Sequence, residues 1–149
     1  MINIRDFIQT DKDVFCTMAT EFYNSSAVCH SIPKQNMLNT FDICIAKSPY
    51  ARGFIFECDG VACGFALLSF THSNEAGGLV VLIEDVYVTE SCRGRGVVSS
   101  FFKLLESEYA DTAKRYRLEV TKSNKNAIDI YKHYGFEVLE YLAMVKDRA

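Results

Sequence analysis

Asp59-Gly60 separates two apolar runs, residues 53–58 and 61–70, and this dipeptide constrains the chain more than any other feature. A two-residue hairpin turn needs positive φ at both central positions, and Asp-Gly supplies them. The runs must then lie side by side as antiparallel strands. A loop at residues 71–78 leads to a third, strongly apolar run at 79–88, so an early antiparallel sheet is expected.

The flanking segments say what covers that sheet. Residues 1–7 alternate Ile2 and Ile4 and read as a first strand. Thr10 or Asp11 can cap a helix with Val14, Phe15, Met18, Ala19 and Phe22 on one face. Pro33 can open a second helix, with Met37, Phe41, Cys44 and Ile45 as its stripe, which Pro49 ends. Beyond residue 88, Val98, Phe101, Phe102, Leu105 and Tyr109 recur at helical spacing, and residues 115–121 read as a strand. Ala127, Ile130, Tyr131 and Tyr134 form a helix stripe that Gly135 terminates, and residues 136–146 are expected to close the chain as an extended segment. The expected order is βααβββαβαβ: a mixed α/β fold whose central sheet has antiparallel N-terminal strands and helices on both faces. Such sheets bind ligands beyond the carboxyl ends of their parallel strands. With 149 residues, 49% of them apolar, the chain can bury a core as one domain spanning 1–149.

Several classes are disfavoured. Net charge is −3 and no basic tract occurs, so nucleic acid is not an expected partner. No apolar run approaches the roughly 18 residues of a membrane span, and the first residues lack a signal-peptide pattern, so a cytoplasmic protein without a membrane partner is expected. Six cysteines are scattered without a C-x-x-C pair, and Cys44, Cys58 and Cys63 sit in apolar runs as small core residues. The three histidines, His30, His72 and His133, show no ligand spacing, so no metal is expected.

Two features carry chemistry. After the run ending at Val88 comes Arg93-Gly94-Arg95-Gly96-Val97-Val98-Ser99. Glycines before a helix let the backbone approach a ligand, and first-turn N–H groups have no intrahelical partner, so the segment suits phosphate or pyrophosphate. A tight turn with two solvated arginines explains the same residues. A dinucleotide fingerprint fits poorly, since its third glycine would fall at Ser99, and no Gly-Lys-Ser/Thr follows for a P-loop. The other feature is Glu84-Asp85 inside the 79–88 run. Adjacent strand residues point to opposite faces, so each acid would meet a covered layer unless a cleft or partner receives it. Burial raises a carboxylate's pKa toward the range of a general base.

The segment Arg93-Gly94-Arg95-Gly96-Val97-Val98 resembles the Q/R-x-x-G-x-G/A loop of the GNAT superfamily, departing from it at Val98. Asn124-x-x-Ala127-x-x-x-Tyr131-x-x-x-Gly135-Phe136 resembles that family's second signature, and Leu82-Ile83-Glu84-Asp85-Val86-Tyr87-Val88 resembles the strand of its spermidine/spermine acetyltransferase-like members. Helix capping and core packing explain any one residue of the second signature, but both signatures occur in the family's order. The resemblance implies a GNAT-like single domain and an N-acetyltransferase with acetyl-CoA as donor and no metal. It implies that Arg93, Gly94, Arg95, Gly96, Val97, Val98 and Ser99 hold the diphosphate, while Asn124, Ala127 and Tyr131 flank the pantetheine arm. Glu84 is then the general base, backbone at Val86, Tyr87 and Val88 receives the oxyanion, and Tyr131 protonates the leaving thiolate in a direct transfer that uses no cysteine. A bulge in the strand is implied to free those backbone groups. Glu84, Asp85 and His30 are the expected acceptor contacts, with a small cationic amine as acceptor and a homodimer as the working form. A non-catalytic acetyl-CoA-sensing module is the alternative, which the presence of Glu84 and Tyr131 disfavours. A doubly wound nucleotide-binding domain is disfavoured by the Asp59-Gly60 hairpin.

Overall fold

Strands β1 (Ile2–Asp6), β2 (Ala51–Cys58), β3 (Val61–Ser73), β4 (Gly78–Val88) and β5 (Ala113–Leu118) lie in that order across one sheet of the computed structural model, which describes residues 1–148. Neighbours from β1 to β4 are antiparallel, and β4 and β5 are parallel. The helices are α1 (Lys12–Tyr23), α2 (Lys34–Ile45), α3 (Val97–Glu108) and α4 (Lys125–His133). Two compact units divide the chain: Met1–Glu119, with the sheet and the first three helices, and a second that starts at Val120 and contains α4.

The hairpin expectation holds in detail. Asp59 and Gly60 have φ of 53° and 81°, both in the left-handed region, and Cys58 pairs with Val61 across the turn. Alternation along β2 then assigns its side chains to two layers. Phe54 and Phe56 meet the Phe101 ring of α3, with centroids 5.7 and 5.3 Å apart. Ile55 turns the other way, into a cluster with Phe7, Phe15, Phe22, Phe41 and Phe65 under α1 and α2. Edge-to-face ring pairs such as Phe15–Phe65 add about 0.5–1.5 kcal/mol each beyond the area they bury.

The helix stripes follow the sequence pattern. In α1, Phe15, Met18, Ala19 and Phe22 are buried. Its entry differs from a simple side-chain cap: Asp11 is tied to Arg5 by two bonds of 2.8 and 3.0 Å and accepts from the Ile8 N–H at 2.8 Å. Pro33 precedes α2 directly, in extended conformation. On the opposite face Arg52 bonds Asp6, Glu108 and the Tyr109 hydroxyl, which fixes the end of α3 against β1 and β2.

Two boundaries and one element differ from expectation. The 71–78 loop is shorter, because β3 runs to Ser73 and β4 starts at Gly78, while β5 begins two residues early and stops at Leu118. The closing strand at residues 136–146 does not form: no strand follows Leu118 among the described residues, and the observed order ends on α4. Beyond Phe136 the large apolar residues there fall on both alternation sets, Val138, Leu142 and Met144 on one and Leu139, Tyr141 and Val145 on the other, and all six are exposed. Apolar side chains on both sets do not distinguish one face of an extended chain, so nothing in the pattern specifies a register.

Candidate active site

One extra residue in β4 organises the candidate site. Asp85 pairs with Leu67 and Ile83 with Leu68, which leaves Glu84 without a partner on β3. This is a β-bulge, and it re-aims the side chains around it. The alternation expected for Glu84 and Asp85 is thereby cancelled: both line one cavity of about 250 Å³, together with Tyr23, Ser69, Thr40 and Cys44.

The two acids have different surroundings. Asp85 is buried, and the Tyr23 hydroxyl donates to its carboxylate, lying 2.8 and 3.0 Å from the two oxygens. Burial pushes the Asp85 carboxyl up to about 6, the Tyr23 hydrogen bond opposes that, and the neighbouring Glu84 charge adds to it. Burial and then Asp85 push the Tyr23 hydroxyl above the ordinary phenol range, so it remains a donor. Glu84 is exposed and accepts a 2.7 Å hydrogen bond from Ser69 Oγ. Tyr23 and Ser69 escaped sequence reading. Tyr23 stands at the end of the α1 stripe, one residue past Phe22, where a polar-tipped aromatic reads as an ordinary helix end.

Beyond the bulge β4 parts from β5. Their pairing runs from Leu79↔Ala113 to Ile83↔Leu118 and stops there, so residues 84–88 have no strand partner on that side among the described residues. Backbone N–H groups that point into the gap are available to a ligand. Val86, Tyr87 and Val88 lie on this stretch. The Tyr87 hydroxyl donates to Glu21 at 2.7 Å, and Arg93 Nε donates to the Val88 carbonyl at 3.0 Å.

A short turn, Glu90–Cys92, then leads into α3. Gly94 and Gly96 have φ of 77° and 83°, which L side chains rarely adopt. A Cβ built on either glycine meets nothing within 4 Å, so the space beside the loop is open. The first bond of α3 runs from the Ser100 N–H to the Gly96 carbonyl at 3.0 Å, so the N–H groups of Val97, Val98 and Ser99 precede it. Arg93 and Arg95 flank this turn, with the Arg95 guanidinium 3.3 Å from Asp59, and first-turn N–H groups beside arginines are donors of the kind a phosphate group accepts from. Val98 is half-buried and Val97 is buried. His30 is exposed and is not among the residues lining the acid cavity. Glu75 pairs with Arg115 at 2.9 Å.

In the second unit the other signature resolves largely into helix caps. The Asn124 side chain accepts from the Ala127 N–H at 3.2 Å and caps α4. At the far end Phe136 N–H bonds the Tyr131 carbonyl at 3.1 Å, Gly135 N–H bonds the Lys132 carbonyl at 3.0 Å, and Gly135 has φ of 94°. That is a Schellman motif, and the ring contact of Tyr131 with Phe136, centroids 5.9 Å apart, is its customary apolar clasp. Burial holds the Tyr131 hydroxyl above the ordinary phenol range, so it carries its proton at neutral pH.

Comparison with known proteins agrees with the fold. The model of the acetyltransferase (GNAT) family matches residues 16–136. The chain belongs to this family. Among curated proteins it is 36% identical over 73 residues to a thialysine N-epsilon-acetyltransferase of Sus scrofa, covering 48% of this chain and 42% of that one. It is 35% identical over 77 residues to the Bos taurus counterpart, covering 51% and 45%. The matches thus span less than half the length of these relatives. Among solved structures, a possible acetyltransferase from Clostridium difficile 630 superposes with a TM-score of 0.84 at 15% identity, covering 100% of this chain and 99% of that one. An aminoglycoside N-acetyltransferase in complex with CoA gives 0.80 at 21% identity, covering 100% and 96%.

Proposed function

We propose that this chain transfers an acetyl group from acetyl-CoA to the primary amine of a small cationic molecule, by direct attack in a ternary complex. The observation that carries the reading is the bulge at Glu84, which delivers two carboxylates to one cavity on the strand that leads into the glycine turn. The family match runs across both units, which supports reading residues 1–149 as one transferase domain. Relatives named for acetylating an ε-nitrogen of thialysine, and a structural neighbour crystallised with CoA, support the donor and the amine class.

In this reading Arg93, Gly94, Arg95, Gly96, Val97, Val98 and Ser99 hold the diphosphate of the donor, and Asn124, Ala127 and Tyr131 flank its pantetheine arm. The acetyl thioester supplies the electrophilic carbonyl. An aliphatic amine has a pKa of about 10.4 and arrives as a cation. Glu84 accepts its proton, directly or through water, and Asp85 contributes negative charge that attracts the cation. The freed amine forms the new C–N bond as the C–S bond breaks. Backbone N–H groups at Val86, Tyr87 and Val88 receive the developing oxyanion. Tyr131 gives its proton to the departing thiolate and is reprotonated, through solvent, by the second proton that the acylated nitrogen sheds on becoming an amide, so no cysteine forms a covalent intermediate. His30 is proposed as an outer acceptor contact.

A homodimer in the cytoplasm is the proposed working form, which light scattering on the purified protein tests. No helix among the described residues is long and apolar enough to cross a membrane. The decisive experiment is a panel of amines with acetyl-CoA, scored by free thiol release. Small cationic amines should be the best acceptors. Best turnover with neutral, anionic or weakly basic aryl amines would overturn the acceptor class, and no turnover with any amine would overturn the transferase.

A further inference from the structure

The Asp59-Gly60 turn does more than join two strands. It pairs Cys58 with Val61 and Glu57 with Ala62, but Phe56 pairs with Gly64, so Cys63 is the extra residue of a bulge in β3. The two thiols meet there, with Sγ atoms 3.1 Å apart, and both residues are buried. A third thiol comes from the turn after β4. The Thr89 N–H bonds the Cys63 carbonyl at 2.8 Å, which pins that turn to β3, and the Cys92 N–H bonds the Thr89 carbonyl at 3.0 Å. As a result Sγ of Cys58, Cys63 and Cys92 all lie within 4.8 Å of one another.

We propose that Cys58, Cys63 and Cys92 form a three-thiolate site for a thiophilic metal cation of the zinc or cadmium type. Metal–sulfur distances near 2.3 Å place three ligand sulfurs roughly 4 Å apart around one ion. The present spread brackets that value. The close pair opens by roughly 1 Å and Cys92 closes toward it, which is a side-chain adjustment with no change of strand register. Sulfur-only donors select soft and borderline cations over magnesium or calcium. Cys58 and Cys63 supply a dry floor, while Cys92 is only half-buried and provides the entry path. A fourth position remains for water or an added thiol. None of the three lines the acid cavity, so the site is separate from the proposed proton acceptor.

Packing of three small core residues is the competing account, and it makes different predictions. The whole protein, reduced with a phosphine and freed of metal, is titrated anaerobically with zinc and then cadmium. Saturable uptake of one ion per chain is expected, with sulfur-to-cadmium charge-transfer absorption and only sulfur among the protein ligands by X-ray absorption. Cys92→Ser should weaken binding by more than about 100-fold, since loss of even an outer-shell partner costs 10- to 100-fold. Cys92 is half-buried, so this variant should keep its fold, as circular dichroism checks. Cys63→Ala gives the same expected loss, and Cys29→Ser, at an exposed thiol, should bind like the parent. The proposal is overturned by no saturable uptake, by binding that survives Cys92→Ser in a folded chain, or by nitrogen or oxygen protein ligands. These readouts need neither acetyl-CoA nor an amine, so they stand apart from the proposed transferase.

Discussion

Asp85→Asn isolates the electrostatic strain in the acid cavity. The parent carboxyl is displaced from 3.8 to about 6, chiefly by burial. Each pK unit corresponds to 1.36 kcal/mol, so ionising Asp85 in the fold costs about 3 kcal/mol more than ionising it in the unfolded chain. The sign follows from the direction. A carboxyl raised in the folded state binds its proton more tightly there, so its stabilising contribution is complete below about pH 4. It is lost as pH rises toward 6 and stays lost above that. The asparagine variant has no such titration, and its side-chain oxygen still accepts from Tyr23, which lies 2.8 Å from one Asp85 oxygen. The parent should therefore lose up to about 3 kcal/mol relative to the variant between pH 4 and pH 7, with the variant the more stable protein at neutrality. Urea denaturation at unit pH intervals measures this. A parent-minus-variant difference that is flat over that window, or that grows in the parent's favour as pH rises, refutes the reasoning.

The remaining predictions concern the transfer. Gly96→Val should weaken acetyl-CoA binding by at least about 1–2 kcal/mol by calorimetry, because a branched residue resists φ of 83° and fills the open side of the loop. Val98→Gly should leave that affinity equal or better, unless the half-buried valine packs productively. Tyr131→Phe should lower kcat by about 10²-fold with little change in donor affinity, and intact kcat would reduce Tyr131 to its clasp with Phe136. Glu84→Gln should lower kcat/KM most at neutral pH and recover partly at high pH, where the amine is already free; a loss uniform in pH would remove Glu84 as the proton acceptor.

Local chemistry was legible from sequence wherever one segment carried it. The Asp59-Gly60 turn, Pro33 before α2, the α1 stripe and the glycines before α3 each act through their own backbone or neighbours. What depended on how two strands meet was not legible. A bulge in this strand was implied by the family resemblance, but its place at Glu84 exists only as a register between β3 and β4, so alternation within β4 put the acids on opposite faces when the sheet puts them in one cavity. Tyr23 could not be paired with Asp85, 62 residues away. The thiol cluster needed both the bulge that leaves Cys63 without a partner on β2 and the tether of Thr89 to Cys63, and the sequence pattern held neither. At residues 136–146 the reverse occurred: an extended closing segment was expected, but apolar residues on both alternation sets define no face.

The single inserted residue in β4 also explains why two distant features share one strand. Without it, a regular β4 would keep Asp85 beside Leu67 and send Glu84 to the opposite face, so the acids could not act on one cation. A bulge increases local twist and bends its strand. Here the bulge follows Ile83, the last residue of β4 paired to β5, and β5 ends at its partner Leu118. The same residue that turns both carboxylates toward Tyr23 and Ser69 thus stands where the parallel ladder stops and its backbone groups come free. Four residues later the Val88 carbonyl accepts from Arg93 Nε, at the start of the glycine turn into α3. Negative charge at the bulge and positive charge at the helix start are thereby held apart along one rigid strand. Under the proposed function, that separation would let one site attract a cationic acceptor without repelling a donor that carries phosphate.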